Sequence, residues 1–262
     1  PRPGLVLGAV IAATVREPVR RRVAGPHVPA AQAIAFFRQH KEFFSLHMLG
    51  YTLLAVTLFS LFSWMPAQMM RIHHMTHAQL GLTLGSIVIV CGSAGVFASG
   101  WLIDYLTRRG LVCAPQIVAA TAAFLASVPL VISVLTHDSH LAVISFAVAF
   151  FFASFPMPPS ATVLQIVVPV PMRARFSATM LFCNAIGGLS GGSLLIGALN
   201  DKVFHSPAAI GLSMALVAGT ASVLGGIMLL LCMRSYKVLY DNRMSNQHDM
   251  PAATPTMVEQ PA

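Results

Sequence analysis

One aspartate and two arginines end a stretch that carries no other charge. In GSAGVFASGWLIDYLTRRG, residues 92–110, Asp104 follows a long apolar run, and Arg108 and Arg109 come four and five residues later. A carboxylate at a helix end accepts hydrogen bonds from the free N–H groups of a neighbouring helix start and pairs with a nearby guanidinium. Contacts of that kind hold one packing of helices and are released in another. The chemistry this cluster offers is therefore conformational rather than catalytic.

A second cluster invites a metal. MMRIHHMTH, residues 69–77, brings His73, His74 and His77 close to Met69, Met70 and Met75. Imidazole and thioether suit copper, and imidazole suits zinc. No cysteine or carboxylate joins them, so the stretch reads as a polar loop, and no metal or cofactor is expected. Arg71 in the same loop is placed to draw an anionic solute to the mouth of a passage. Elsewhere the polar groups within apolar runs are neutral, and the candidates for contact with a solute are His47, Tyr51, Trp64, Gln165 and Asn184. A buried amide without a partner costs several kcal/mol, roughly 2–7, so Gln165 and Asn184 must bond either a solute or another helix.

The elements that carry these residues are long and apolar. Of 262 residues, 56% are hydrophobic and only 9% are charged, against roughly a quarter charged in an ordinary soluble domain. Mean hydropathy is +0.75. No Asp, Glu, Lys or Arg falls between Arg71 and Asp104, Arg109 and Asp138, Asp138 and Arg173, or Lys202 and Arg234. Each gap exceeds the roughly 20 residues a helix needs to cross a bilayer. Six apolar segments are expected, at about 43–67, 81–103, 111–135, 141–170, 177–199 and 208–233. The fold class is all-α, a polytopic membrane protein with lipid as its first partner.

Features within the segments point to packing. Pro156, Pro158 and Pro159 predict a bend or break in the fourth segment, since proline lacks the N–H a helix needs. Gly187, Gly188, Gly191, Gly192 and Gly197 in the fifth, and Gly92, Gly95 and Ser99 in the second, form small faces that let helix backbones approach. None is a phosphate loop, which needs a preceding strand and a lysine. The four cysteines form no C-x-x-C pair and read as small packed side chains.

Charge sets the orientation. The net charge of +8 does not mark a nucleic-acid partner here, because the bases sit in short loops between apolar runs. One set of alternate loops holds Arg16, Arg20, Arg21, Arg22, Arg38, Lys41, Arg108, Arg109, Arg173, Arg175, Arg234, Lys237 and Arg243, and the other only Arg2, Arg71 and Lys202. That bias places the 16–42 loop, the 104–110 turn and the C-terminus in the cytoplasm. A plasma membrane, the inner one of a bacterium, is the expected location. The apolar run of residues 4–15 is too short to span and reads as the end of a truncated helix, so the sequence reads as a fragment. Its expected divisions are that stub at 1–15, a cytoplasmic loop at 16–42, a six-helix bundle at 43–240 and a disordered tail at 241–262.

The turn at Asp104 resembles one found in the major facilitator superfamily, G-x-L-a-D-r-x-G-r-[KR], between the second and third helices of each six-helix half. Gly100, Leu102, Asp104, Arg108 and Arg109 match it, whereas Tyr105 and Thr107 depart from it. FSWMPAQMMRIHHMTHAQLGLTLG and VPVPMRARFSATMLFCNAIGGLSGG are similar to passages of spinster-like facilitators. The resemblance implies the C-terminal six-helix half of a twelve-helix secondary transporter that moves a small or amphiphilic solute by alternating access. It implies a conformational clamp at Gly100, Asp104, Arg108 and Arg109, and a missing N-terminal half without which the chain is inactive. No catalytic residue is expected. An intramembrane enzyme would need paired acids or a Ser–His pair at mid-depth, and a permease subunit or membrane scaffold is the alternative of a different class.

Overall fold

A computed structural model describes residues 10, 14, 29–206 and 209–248. Every regular element among the described residues is helical, as hydrocarbon demands, because a helix satisfies its own backbone. A short helix, α1 (Ala30–Gln39), precedes α2 (Lys41–His73). Then follow α3 (His77–Arg108), α4 (Ala114–Leu135), α5 (Ser139–Ala153) and α6 (Met157–Val167), α7 (Val170–Phe204) and α8 (Ile210–Ser245). Among the described residues six stretches are long and apolar enough to cross a membrane, with α5 and α6 together forming the fourth.

The turns follow from their residues. Thr76 and Gln79 make a reciprocal capping box at the start of α3, the Thr76 N–H donating to Gln79 Oε1 at 2.9 Å. Past Arg108 the chain reverses through Gly110, whose φ of 86° favours glycine, and Pro115 opens α4. Asp138 caps α5, its Oδ1 accepting from the N–H groups of His140 (2.8 Å) and Leu141 (3.1 Å).

The two larger apolar cores stack along the bundle, beside a small third one of Val118, Ala122 and Phe155. Towards the end carrying Lys41, Arg173 and Arg234, the core joins Phe43, Phe44, Leu164, Phe176 and Tyr236. Towards the other end it joins Leu61, Met65, Leu130, Phe146 and Ile210. Close approaches permit this density. A Cβ on Gly225 of α8 would stand 2.6 Å from Leu54 Cδ2 and 3.0 Å from the Gly50 carbonyl of α2.

Helical structure is also found outside the six spans. Within the 16–42 stretch Ala30–Gln39 is helical, because its AIAFF segment gives α1 an apolar side. Phe36 packs edge-on to Phe44 and Phe176, with ring centroids 5.8 and 6.0 Å away. Past Ser245 the last helix runs on to His248. The helix is held there by Arg243, whose Nη1 donates to the Val167 carbonyl at 3.3 Å. Residues 249–262, and the stub at 1–15 apart from Val10 and Thr14, lie outside the described residues.

Candidate functional site: a broken fourth span and its supports

The prolines do break the fourth span. Helix α5 stops at Ala153 and α6 starts at Met157. Pro159 has no N–H for the carbonyl of Phe155, four residues before it. A side chain from α3 fills the place, Ser99 Oγ donating to that carbonyl at 2.8 Å in a fully buried position. Neighbouring small residues let α3 come this near. A Cβ on Gly95 would collide with the Phe151 carbonyl, and one on Gly92 would stand 3.0 Å from the Phe150 ring. The two carbonyls opposite the other prolines are met within the turn, Phe155 N–H donating to Phe152 and Met157 N–H to Ser154, at 3.1 and 3.3 Å.

Other spans hold α6 further along. The ring of His47 on α2 lies with Nε2 3.1 Å from the Ser160 carbonyl. At the helix end Arg173 Nε donates to Val168 (3.1 Å) and Arg243 Nη1 to Val167 (3.3 Å), cations on the last carbonyls where a helix favours them. This half-helix is thus held by side chains of α2, α3, α7 and α8.

Helix α7 meets α2 through its glycines. The segment Asn184–Gly192 is wound as a π-helix, a geometry frequent at functional sites. A Cβ on Gly188 would stand 2.8 Å from Ala55 Cβ, and one on Gly192 2.8 Å from Val56 Cγ1. Asn184 Oδ1 accepts from Thr52 Oγ1 on α2 at 3.4 Å. The α3 helix carries a shorter π-turn of its own, Val88–Gly92.

The sequence candidates fall in different places. His47 and Tyr51 are closed inside the bundle, with ring centroids 4.7 Å apart. Trp64 is half-buried against Gly197, with Nε1 unpartnered. Asn184 is half-buried and Gln165 exposed, so the five do not form one surface. Asp104 and Arg108 are exposed and make no ion pair among the described residues, while the Arg109 guanidinium lies 4.4 Å from the Tyr105 ring centroid. Gly100 has open space where a Cβ would be. Arg71 is exposed at the opposite end from Asp104. Of the stretch 69–77, Met69–His73 is the last turn of α2 rather than loop, and His73 Nδ1 meets Ser139 Oγ at 3.1 Å. No three His, Cys, Asp or Glu side chains among the described residues stand close enough to hold a metal.

Three buried amides, Gln68, Gln116 and Asn200, are not among the sequence candidates. Gln68 Nε2 donates to the Val134 carbonyl at 2.8 Å, and Gln116 is fully buried with both amide atoms unpartnered. Their signal was legible, an amide inside an apolar run, as with Gln165. Ser99 was legible only as a small residue, because its partner lies 56 positions away.

Six spans, a broken helix carried by its neighbours and glycine-lined contacts define a polytopic α-helical protein of the membrane. The family profile of the Major Facilitator Superfamily matches residues 3–192, and the chain belongs to that superfamily. It is 27% identical over 247 residues to an MFS-type efflux pump of Mycolicibacterium smegmatis (strain ATCC 700084 / mc(2)155), covering 89% of this chain and 56% of that protein. The fold is similar to crystal structures of a bacterial homologue of the human lysosomal transporter Spinster, both inward-facing. The unoccupied form has a TM-score of 0.57 at 16% identity, covering 93% of this chain and 58% of the other. The occupied form gives 0.55 at 17%, covering 95% and 58%. The chain spans a little over half the length of these relatives.

Proposed function

We propose that this chain is one half of a secondary transporter that moves a small or amphiphilic solute by alternating access, with a second six-span half seated on α3 and α7. One observation carries the reading. In their most apolar stretches α3 and α7 are 22% buried, against 50% for each of the other four spans. Gly81, Gly85 and Gly100 on α3 face open space, although small residues in membrane helices serve close helix contact. Alternating access works by rocking one bundle on another, and α3 and α7 present the surface for it. The likeness to an efflux pump supports outward movement of the solute.

Within that assembly Gly100, Asp104, Arg108 and Arg109 form the clamp. Among the described residues Asp104 has no partner, and it is exposed, free to meet a helix start of the other half. Asn184 and Trp64, half-buried on α7 and α2, are the candidates for solute contact, together with His47, Tyr51 and Gln165 nearer the basic end. Arg71 marks the outer mouth. The Lys/Arg bias supports a bacterial inner membrane with the basic end and the C-terminus in the cytoplasm.

Vesicles loaded with an amphiphilic dye such as ethidium test the reading. The chain alone should give no saturable flux, and the chain co-reconstituted with an amino-terminal half should restore it. Saturable flux from the chain alone would mean that it works as a symmetric dimer.

A further inference from the structure

A groove of about 670 Å³ opens at the basic end, between α1, the turn joining α6 to α7, and the end of α8. One wall is apolar, with Phe36, Val167, Val170 and Leu239. The other is cationic. Arg243 lines it, and Arg173, just outside the lining, bonds the carbonyl next to the one that Arg243 bonds. Each guanidinium is fixed by a bond to a carbonyl of the same turn, Val167 for Arg243 and Val168 for Arg173. Each has five N–H donors, and one bond to a carbonyl leaves most of them unused. No carboxylate pairs with either among the described residues.

Two guanidiniums fastened to adjacent carbonyls, with no carboxylate partner among the described residues, are suited to an anion from outside the chain. A phosphate matches their geometry, since arginine binds its oxygens in a bidentate fork. The adjoining apolar wall is what a free anion does not need and an acyl chain does. Basic pockets between membrane helices on the cytoplasmic side bind anionic head groups. We infer that this groove is a binding site for an anionic phospholipid, its phosphate on Arg173 and Arg243 and an acyl chain along Phe36, Val170 and Leu239. The inference rests on the chain's residence in a membrane and not on transport.

A bound lipid would tie α1, α6, α7 and α8 together at one end of the bundle. The far end of α6 is fastened at this groove by Arg173 and Arg243. The lipid thereby reinforces the same carbonyl bonds that hold α6 in place.

The full chain in detergent is titrated with dioctanoyl phosphatidylglycerol, and retained lipid is read by native mass spectrometry. Three arms run beside it: dioctanoyl phosphatidylcholine, inorganic phosphate, and variants. One equivalent of phosphatidylglycerol should be retained, at least tenfold more tightly than phosphatidylcholine. R173Q/R243Q should weaken it tenfold or more, whereas R234Q/K237Q, basic residues of the same end outside the groove, should leave it within twofold. Asn242→Glu serves if the arginine variant fails to fold. Asn242 is an exposed lining residue, and a carboxylate there neutralises the arginines without disturbing the carbonyl bonds, so it should also abolish retention. Equal losses in both arginine and control pairs would overturn the site in favour of diffuse charge attraction. Competition by inorganic phosphate at similar concentration would make it a free-anion site, and equal retention of phosphatidylcholine an apolar groove only.

Discussion

Ser99 replaces a hydrogen bond that proline removed, and the replacement can be tested as such. Ser99→Ala leaves the Phe155 carbonyl buried and unpaired, which should cost about 1–3 kcal/mol of stability. Pro159→Ala restores an N–H to that position. In the Pro159→Ala background the serine is redundant, so the same substitution should cost less than about 0.5 kcal/mol. The non-additivity, read by chemical denaturation in detergent, is the signature; equal costs in both backgrounds would mean that Ser99 only fills space. Asp138 gives a second prediction at this scale. The N–H groups of Leu141 and His140 hold its carboxyl below the usual range. A depressed carboxyl stabilises the fold above its unfolded value, near 3.9, and the contribution is lost as pH falls through the folded value. Asp138→Asn should therefore flatten the acid limb of a stability-against-pH curve while leaving the neutral limb parallel to the original.

At the scale of elements, the spans were legible because hydrocarbon demands long uncharged runs, and so was the break at Pro156, Pro158 and Pro159. What spans the break was not. Register between α3 and α5 is fixed by the fit of Gly95 to the Phe151 carbonyl, and periodicity within one helix carries no information on that fit. Helix α1 was hidden for a related reason, since its basic surroundings suggested a loop and only the docking of Phe36 and Phe37 on the bundle makes it regular. The two kinds of glycine on α3 separate in a simple pair. Gly95→Ala, against backbone, should destabilise by about 1–3 kcal/mol, and Gly85→Ala, in open space, should be neutral or slightly stabilising because alanine favours helix. Thermal unfolding of the two variants checks this. The Asp104 turn belongs to the same helix. As Asp104 is exposed and unpaired among the described residues, Asp104→Asn should leave the chain's own stability within about 0.5 kcal/mol. In an assembled transporter it should shift the accessibility of a cysteine placed near Gln165, and Arg108→Gln should shift it the same way with less than additive effect. Additive shifts would reduce the pair to anchors of topology.

The whole molecule is a bundle with a bare side. Its apolar cores close well around α2, α4, α5 and α8, and the two least buried spans carry the glycines and the Asp104 turn. Lipid alone could cover that side, whereas a half-transporter needs protein there. A photo-reactive phenylalanine analogue distinguishes the two coverings. It is placed in turn at Phe97 on α3, Leu194 on α7 and Val128 on α4, residues that are 77%, 72% and 63% exposed. In native membranes of cells that make the complete transporter, irradiation at 97 and 194 should yield cross-links to a protein segment amino-terminal to this chain. Position 128 should label lipid. Lipid labelling at all three positions, with no peptide cross-link from 97 or 194, would contradict the half-transporter reading.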